Sequence, residues 1–157
     1  LGVGAANVRF LNLPDAAMPD ESAALWKAAN AQMADWLSDF GPDLVLQPWR
    51  RDPHCDHRDA WRLGQTSLTL AGLKPELLEY AVWLDELGAP EDRPKATEAE
   101  RIVFDIGGVL NDKRAAVACH RTQTTDLIDD DPDGFRLTQV TIDRLVGPTE
   151  SYWRPLF

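Results

Sequence analysis

The chain is 157 residues long and 44% hydrophobic, enough for one domain with an ordinary core, which sets disorder aside. Its 16 basic residues against 26 acidic ones leave a formal charge of -10, which repels phosphate backbones and anionic lipid, so no nucleic acid is expected as a partner. No apolar run approaches the roughly 20 residues that cross a bilayer, and the N-terminus lacks the basic start and apolar stretch of a signal peptide, so no membrane insertion and a cytoplasmic location are expected. The two cysteines, Cys55 and Cys119, are too few for a disulfide scaffold and suit free thiols in a reducing compartment. The first residue is Leu1 rather than methionine, inside what reads as a passage from loop to strand, so the chain is expected to be a fragment.

In chain order, residues 8–13 are short and apolar, with a Pro14-Asp15 stop, and are expected to form a strand running out into a loop. Helix-start chemistry at Pro19-Asp20-Glu21-Ser22 precedes Leu25, Ala29, Met33, Trp36, Leu37 and Phe40 at helical spacing, until Gly41-Pro42 ends the pattern. Residues 44–46 are expected to form a short buried strand, and strand, helix, strand in this order is what a parallel βαβ unit requires.

A polar loop from Gln47 to His57 follows, and then a helix over about 58–73 with Ala60, Leu63, Ser67 and Leu70 on one side. The polar cluster thus falls at a strand's C-terminal end, where open α/β sheets bind ligands. Residues 77–84 suit a strand or an apolar helical turn, and 86–100, rich in Pro, Glu and Ala, suit a surface loop. Residues 101–106 alternate like a strand, Gly107-Gly108 breaks it, and a helix is expected over 110–123. Residues 129–134 read as a solvated turn, and a last helix covers about 137–145; there is no internal repeat.

All three histidines, His54, His57 and His120, lie in polar segments rather than on an apolar periodic face. His54-Cys55-Asp56-His57 packs two imidazoles and a carboxylate into the start of a helix, a compact source of ligands for zinc. Asp56 can orient a neighbouring imidazole by accepting its ring proton. The alternative is that Asp56 caps the helix and both histidines are solvated. Arg50 and Arg51 can line the way in for an acidic substrate or pair with Asp52.

Residues 43–63, DLVLQPWRRDPHCDHRDAWRL, resemble the second motif of the LmbE/PIG-L deacetylases, a strand, a Pro-Trp-Arg stretch and His-Pro-Asp-His at a helix start. Tyr80-Ala-Val-Trp83 resembles that family's Tyr-x-x-Trp strand, Lys113-Arg-Ala-Ala-Val-Ala-Cys-His-Arg-Thr-Gln123 its Lys-Arg-x-Ala helix with His-x-Ser/Thr-Gln, and Phe10-Leu-Asn-Leu-Pro-Asp15 its Phe-Leu-x-Leu-Pro-Asp turn.

The resemblance implies an α/β fold, the C-terminal portion of a Rossmann-like three-layer sandwich with a largely parallel sheet, in one domain over 1–157. It implies a zinc (Zn2+) hydrolase that removes the N-acetyl group of a small-molecule amino-sugar conjugate with a metal-activated water. His57 is then the metal ligand. His54 steadies the tetrahedral intermediate or protonates the leaving amine, and Asp56 holds its tautomer. Arg50, Arg51, His120 and Gln123 are candidate substrate-binding residues, the last two equally a tie between a helix end and the site loops.

Two departures stand beside the resemblance. Cys55 replaces the family's usual proline and adds a soft ligand beside the site. The family's first motif, Ala-His-Pro-Asp-Asp-Glu, with its further ligands and general base, is absent, so a missing N-terminal segment of the same protein is an expected partner and the 157 residues alone are expected to be inactive. Ala17-Met-Pro-Asp-Glu21 lacks the histidine and the paired aspartates and is rejected as a substitute. A non-catalytic metal- or ligand-binding domain built on His54, Cys55 and His57, or a degenerate family member, is the competing reading. The sequence leaves open a homo-oligomer and the identity of the acyl-sugar.

Overall fold

The computed structural model describes residues 2–131 and 136–156. These gather into two compact units: a larger one, Arg9–Ile102 with the C-terminal residues from Tyr152, and a smaller one built from the N-terminus to Val8 and from Val103–Ser151.

In the larger unit, helix α1 (Ala24–Phe40) ends at Gly41, whose φ of 62° closes the helix in a left-handed conformation. Its buried residues are Trp26, Ala29, Ala34 and Leu37, while Leu25 and Phe40 are exposed, so the inward face is turned by about one residue from the expected one. The bulkier Trp26 takes the inward position, and the Arg62 guanidinium lies over its ring, 5.7 Å from the centroid.

Strand β1 (Leu44–Pro48) leads through the polar loop into α2 (Cys55–Ala71), and Gly72, with φ 68°, turns the chain into β2 (Glu76–Tyr80). β1 and β2 pair in parallel, Leu44 opposite Glu76 and Pro48 opposite Tyr80. The βαβ unit is therefore β1-α2-β2. Residues 8–13, expected as its first strand, form none: Asn12 takes a φ of 52° and Phe10 stands exposed, so no neighbouring edge holds the segment extended. On α2 the buried residues are Leu63, Gly64, Ser67 and Leu68, whereas Leu70 points to solvent. Ser67 Oγ donates to Asn30 Oδ1 at 2.7 Å, a polar clasp between α2 and α1.

After β2, residues 81–83 turn into a single helical turn, α3 (Leu84–Leu87). The loop expected over 86–100 holds a 3-10 turn, Pro90–Asp92, and gives way to strand β3 (Ala99–Asp105). Strand β4 (Thr149–Pro155), whose sequence alone carries no clear strand pattern, enters the sheet between β2 and β3, giving the order β1-β2-β4-β3. It runs antiparallel to β2, Glu79 opposite Trp153, and its end meets the start of β3, where Leu156 N–H donates to Glu98 O. The fold is mixed α/β. The four-stranded sheet is mostly antiparallel rather than largely parallel: β1 and β2, joined by the α2 crossover, run in the same direction, whereas β4 enters beside β2 in the opposite one. Trp49, Leu84 and Ala99 form the core cluster, with Ala81 and Trp153 packed on it.

In the smaller unit, Gly107 begins a 3-10 turn that leads into α4 (Leu110–Ala118), and α5 (Arg121–Thr124) follows after a break. The single helix expected over 110–123 is interrupted at His120, whose ψ of 59° is not helical. Helix α6 (Gln139–Leu145) is capped by Thr138, whose Oγ1 accepts from Thr141 N–H. Of the turn expected over 129–134, residues 132–134 lie outside the described residues. Among the described residues no helix is long and apolar enough to cross a membrane.

Candidate metal and catalytic site

The site grows from the end of β1. Trp49 is wholly buried; its backbone N–H donates to Tyr80 O at 2.8 Å and its indole Nε1 to Asp92 O at 2.6 Å, so the loop after the strand starts from a fixed point. Asp52 N–H closes a tight turn on Trp49 O at 2.9 Å, and two residues later His54 becomes the N-cap of α2.

Asp52 has 0% of its surface exposed. Its Oδ1 lies 2.8 Å from His57 Nδ1 and accepts from His54 N–H at 3.1 Å; its Oδ2 accepts from Val82 N–H at 3.0 Å and Trp83 N–H at 2.9 Å. Burial pushes this carboxyl up, but the hydrogen bonds from His57, Trp83, His54 and Val82 together outweigh it and hold it below the usual carboxylate range. Asp52 is thus an ionised group inside the protein, supported on every side by donors. The pairing of Asp52 with Arg50 or Arg51 that the sequence allowed does not form.

His54 and His57 stack obliquely, ring centroids 4.9 Å apart. His54 Nδ1 accepts the backbone N–H of Asp56 at 3.2 Å, so His54 caps α2 with its ring. The Asp56 carboxylate turns the other way and accepts from Ala16 N–H at 2.9 Å, which holds it below its ordinary range. His54 and Asp56 are therefore joined through the main chain rather than carboxylate to ring. Cys55 Sγ lies 3.6 Å from Asp56 Oδ1, and ligand atoms of His54, Cys55 and Asp56 lie within 4.8 Å of one another.

Arg50 and Arg51 both have acidic partners. Arg50 Nε and Nη2 donate to Glu79 Oε2 at 3.1 and 2.9 Å, and the guanidinium stacks between Trp49 and Trp61 at 5.0 and 5.8 Å. Glu79 is fully buried; burial pushes its carboxyl up, and the hydrogen bond from Arg50 only partly offsets this. Arg51 grips both carboxylate oxygens of Glu98 and donates to Arg93 O, and that grip brings the Glu98 carboxyl down to about 2.

His120 and Gln123 belong to the smaller unit. His120 O accepts from Gln123 N–H at 2.9 Å and Thr124 N–H at 3.0 Å, so the pair shapes the start of α5. His120 also lines a cleft with Val109, Lys113, Cys119 and Glu150, in which Lys113 Nζ and Glu150 Oε1 are 2.7 Å apart.

The donor set suits zinc in part. An imidazole whose Nδ1 rests on a carboxylate is the usual protein ligand for that ion, and a second imidazole stands beside it. The ligand atoms that lie together are those of His54, Cys55 and Asp56, without His57, and a catalytic zinc, which takes three protein ligands, would need more than His57 to hold it there. The residues that sequence reasoning missed are Asp52 and its donors Val82 and Trp83. The available signal was the Asp-x-His spacing at a helix start, where an aspartate side chain commonly accepts an N–H two residues on. No protein-family model matches this chain, and no curated protein matches it significantly.

Proposed function

We propose that this chain is the His-bearing part of a zinc-dependent hydrolase that removes the N-acetyl group of an amino sugar or its conjugate. The observation that carries the reading is His57 Nδ1 resting 2.8 Å from the buried Asp52 at the start of α2, within the very segment that resembles the second LmbE/PIG-L motif. The parallel β1-α2-β2 unit, with that loop at the strand's C-terminal end, adds support and is the seed of the Rossmann-like sandwich proposed for the whole domain.

His57 would hold the metal through Nε2. Zinc bound there would lower the pKa of a water and polarise the amide carbonyl. His54, with Nδ1 occupied by the Asp56 N–H, carries its ring proton on Nε2 in the neutral form, the atom that would face the substrate's carbonyl oxygen or leaving nitrogen. Asp56 anchors the start of α2 to the loop at Ala16. Arg50 and Arg51 would tune the approach while bound to Glu79 and Glu98, and His120 and Gln123 are assigned to the substrate by the motif resemblance alone. The remaining ligands and the general base would come from an upstream segment of the same protein. The free thiols Cys55 and Cys119 fit a cytoplasmic setting.

The protein expressed from its full reading frame should carry about one zinc per protomer and release acetate from N-acetylglucosamine conjugates, with both lost in His57→Ala. A metal-free protein that releases no acetate after zinc is added would overturn the proposal. The proximity of His54, Cys55 and Asp56 favours a second reading, a closed, non-catalytic metal site.

A further inference from the structure

We propose that Asp52 is a positioning residue of the site, one whose carboxylate fixes the Nδ1–H tautomer of His57 and ties that ring to the Val82–Trp83 turn after β2. It rests on the reading of His57 as a metal ligand only for its consequence, not for its geometry.

The argument is one of donors and acceptors. A carboxylate has no hydrogen to give, so the 2.8 Å contact requires His57 Nδ1 to donate. The other three partners of Asp52, the N–H groups of His54, Val82 and Trp83, are donors as well, leaving no arrangement in which the ring accepts. A neutral imidazole with its proton on Nδ1 has its lone pair on Nε2, the form a metal needs. Both bonds of Oδ2 go to a separate piece of chain, the turn leading into α3, and Arg58 Nη1 donates to Asp52 O at 2.8 Å. The ring is therefore braced from β1, α2 and the turn after β2, and the carboxylate is fully buried. If Asp52 served only to anchor the Val82–Trp83 turn, exchanging its carboxylate for an amide would leave the His57 tautomer as it is, which gives the proposal its test.

Long-range 15N–1H correlation spectra of the metal-free protein, taken about two units above the ordinary imidazole pKa, should show His57 protonated at Nδ1. In Asp52→Asn the amide oxygen can keep the Val82 and Trp83 bonds, and its NH2 then faces Nδ1 and should turn His57 to the Nε2–H form. Zinc affinity, read by competition with a chromophoric chelator, should fall about 10- to 100-fold. A wild-type His57 protonated at Nε2, or an unchanged Nδ1–H signal in the variant, overturns the proposal. Should the variant fail to fold, the wild-type spectrum decides alone. A tautomer shift as expected in a protein that never binds zinc upholds the positioning role and sinks the hydrolase instead.

Discussion

Arg50 and Glu79 form a forked ion pair in which both Nε and Nη2 reach the same carboxylate oxygen, at 3.1 and 2.9 Å, with the Glu79 side chain fully buried and the Arg50 side chain 19% exposed. Removing one partner leaves a charge in poor solvent. Glu79→Leu should therefore lose about 3–5 kcal/mol in urea unfolding, while the double variant Arg50→Met/Glu79→Leu should recover the part due to the arginine's charge but not the part due to Trp61 Nε1 and Gln47 Nε2, which lose their acceptor in both. A double variant as unstable as the single one would mean that the arginine's charge is not what the carboxylate serves. Because Arg50 is bound in this way, it reaches a substrate only at the expense of Glu79, and its effect on activity should follow its effect on stability.

Arg51 and Glu98 provide the pH-dependent counterpart. Arg51 holds the folded Glu98 carboxyl at about 2, below its ordinary value near 4.5. The folded state thus binds fewer protons than the unfolded one between those values, and the pair's contribution is present above about pH 4.5 and lost as pH falls toward 2. The urea midpoint should drop across that window, and Glu98→Gln should flatten this part of the profile. With side chains 31% and 26% exposed, the pair should contribute about 1 kcal/mol at neutral pH. A profile that is the same in both proteins would remove Glu98 from the account.

Cys55 separates the two metal readings. Its Sγ lies beside Asp56, within 4.8 Å of the ligand atoms of His54, whereas His57 turns to Asp52. If the site is that of the hydrolase, Cys55→Ala leaves zinc binding within about threefold and His57→Ala abolishes it. A closed thiolate site behaves in the opposite way, because the thiolate is its strongest ligand. Isothermal titration of the two variants with zinc alone reads the difference.

β1 and α2 were legible because each has a local cause, whereas the parallel unit was expected one element too early, from residues 8–13 to 44–46, and β2 was left between a strand and a helical turn. Leu44-Val-Leu46 is an apolar run of strand length, and the apolar spacing after His57 marks α2, although its expected end at about 73 ran past Gly72, where the helix stops in a left-handed conformation. The polar loop between them stood out as a candidate site by its histidines. What escaped depends on partners distant in sequence. β4 carries Glu150, Ser151 and Arg154 among its aromatics, and becomes a strand only because β2 and β3 flank it. Residues 8–13 have strand-like composition and no such neighbours. Asp52 looked like a counter-ion for the adjacent arginines, yet its partners Val82 and Trp83 are 30 and 31 residues away and offer backbone N–H groups, which no side-chain pattern reveals. The periodicity of α1 gave its length, but the choice between Leu25 and Trp26 as the inward residue was decided by packing.

The same turn that supplies the Asp52 donors is closed by a glycine whose role is steric rather than conformational. Gly88 has a φ of -71°, which any residue tolerates, yet a Cβ there would run into the backbone oxygen of Leu84 and stand 2.8 Å from Leu84 Cδ1. Leu84 is itself wholly buried in the core with Trp49 and Ala99, so neither its backbone nor its side chain has room to withdraw. Gly88→Ala should then cost about 1–3 kcal/mol by overpacking, and Leu84→Ala about 2–5 kcal/mol by leaving a cavity, both read as shifts in the urea midpoint. Because α3 follows directly on Val82 and Trp83, Gly88→Ala should also disturb the two amide resonances that mark the Asp52 bonds. A variant that keeps wild-type stability and unshifted Val82 and Trp83 amides would show that this turn is free to move and does not brace the site.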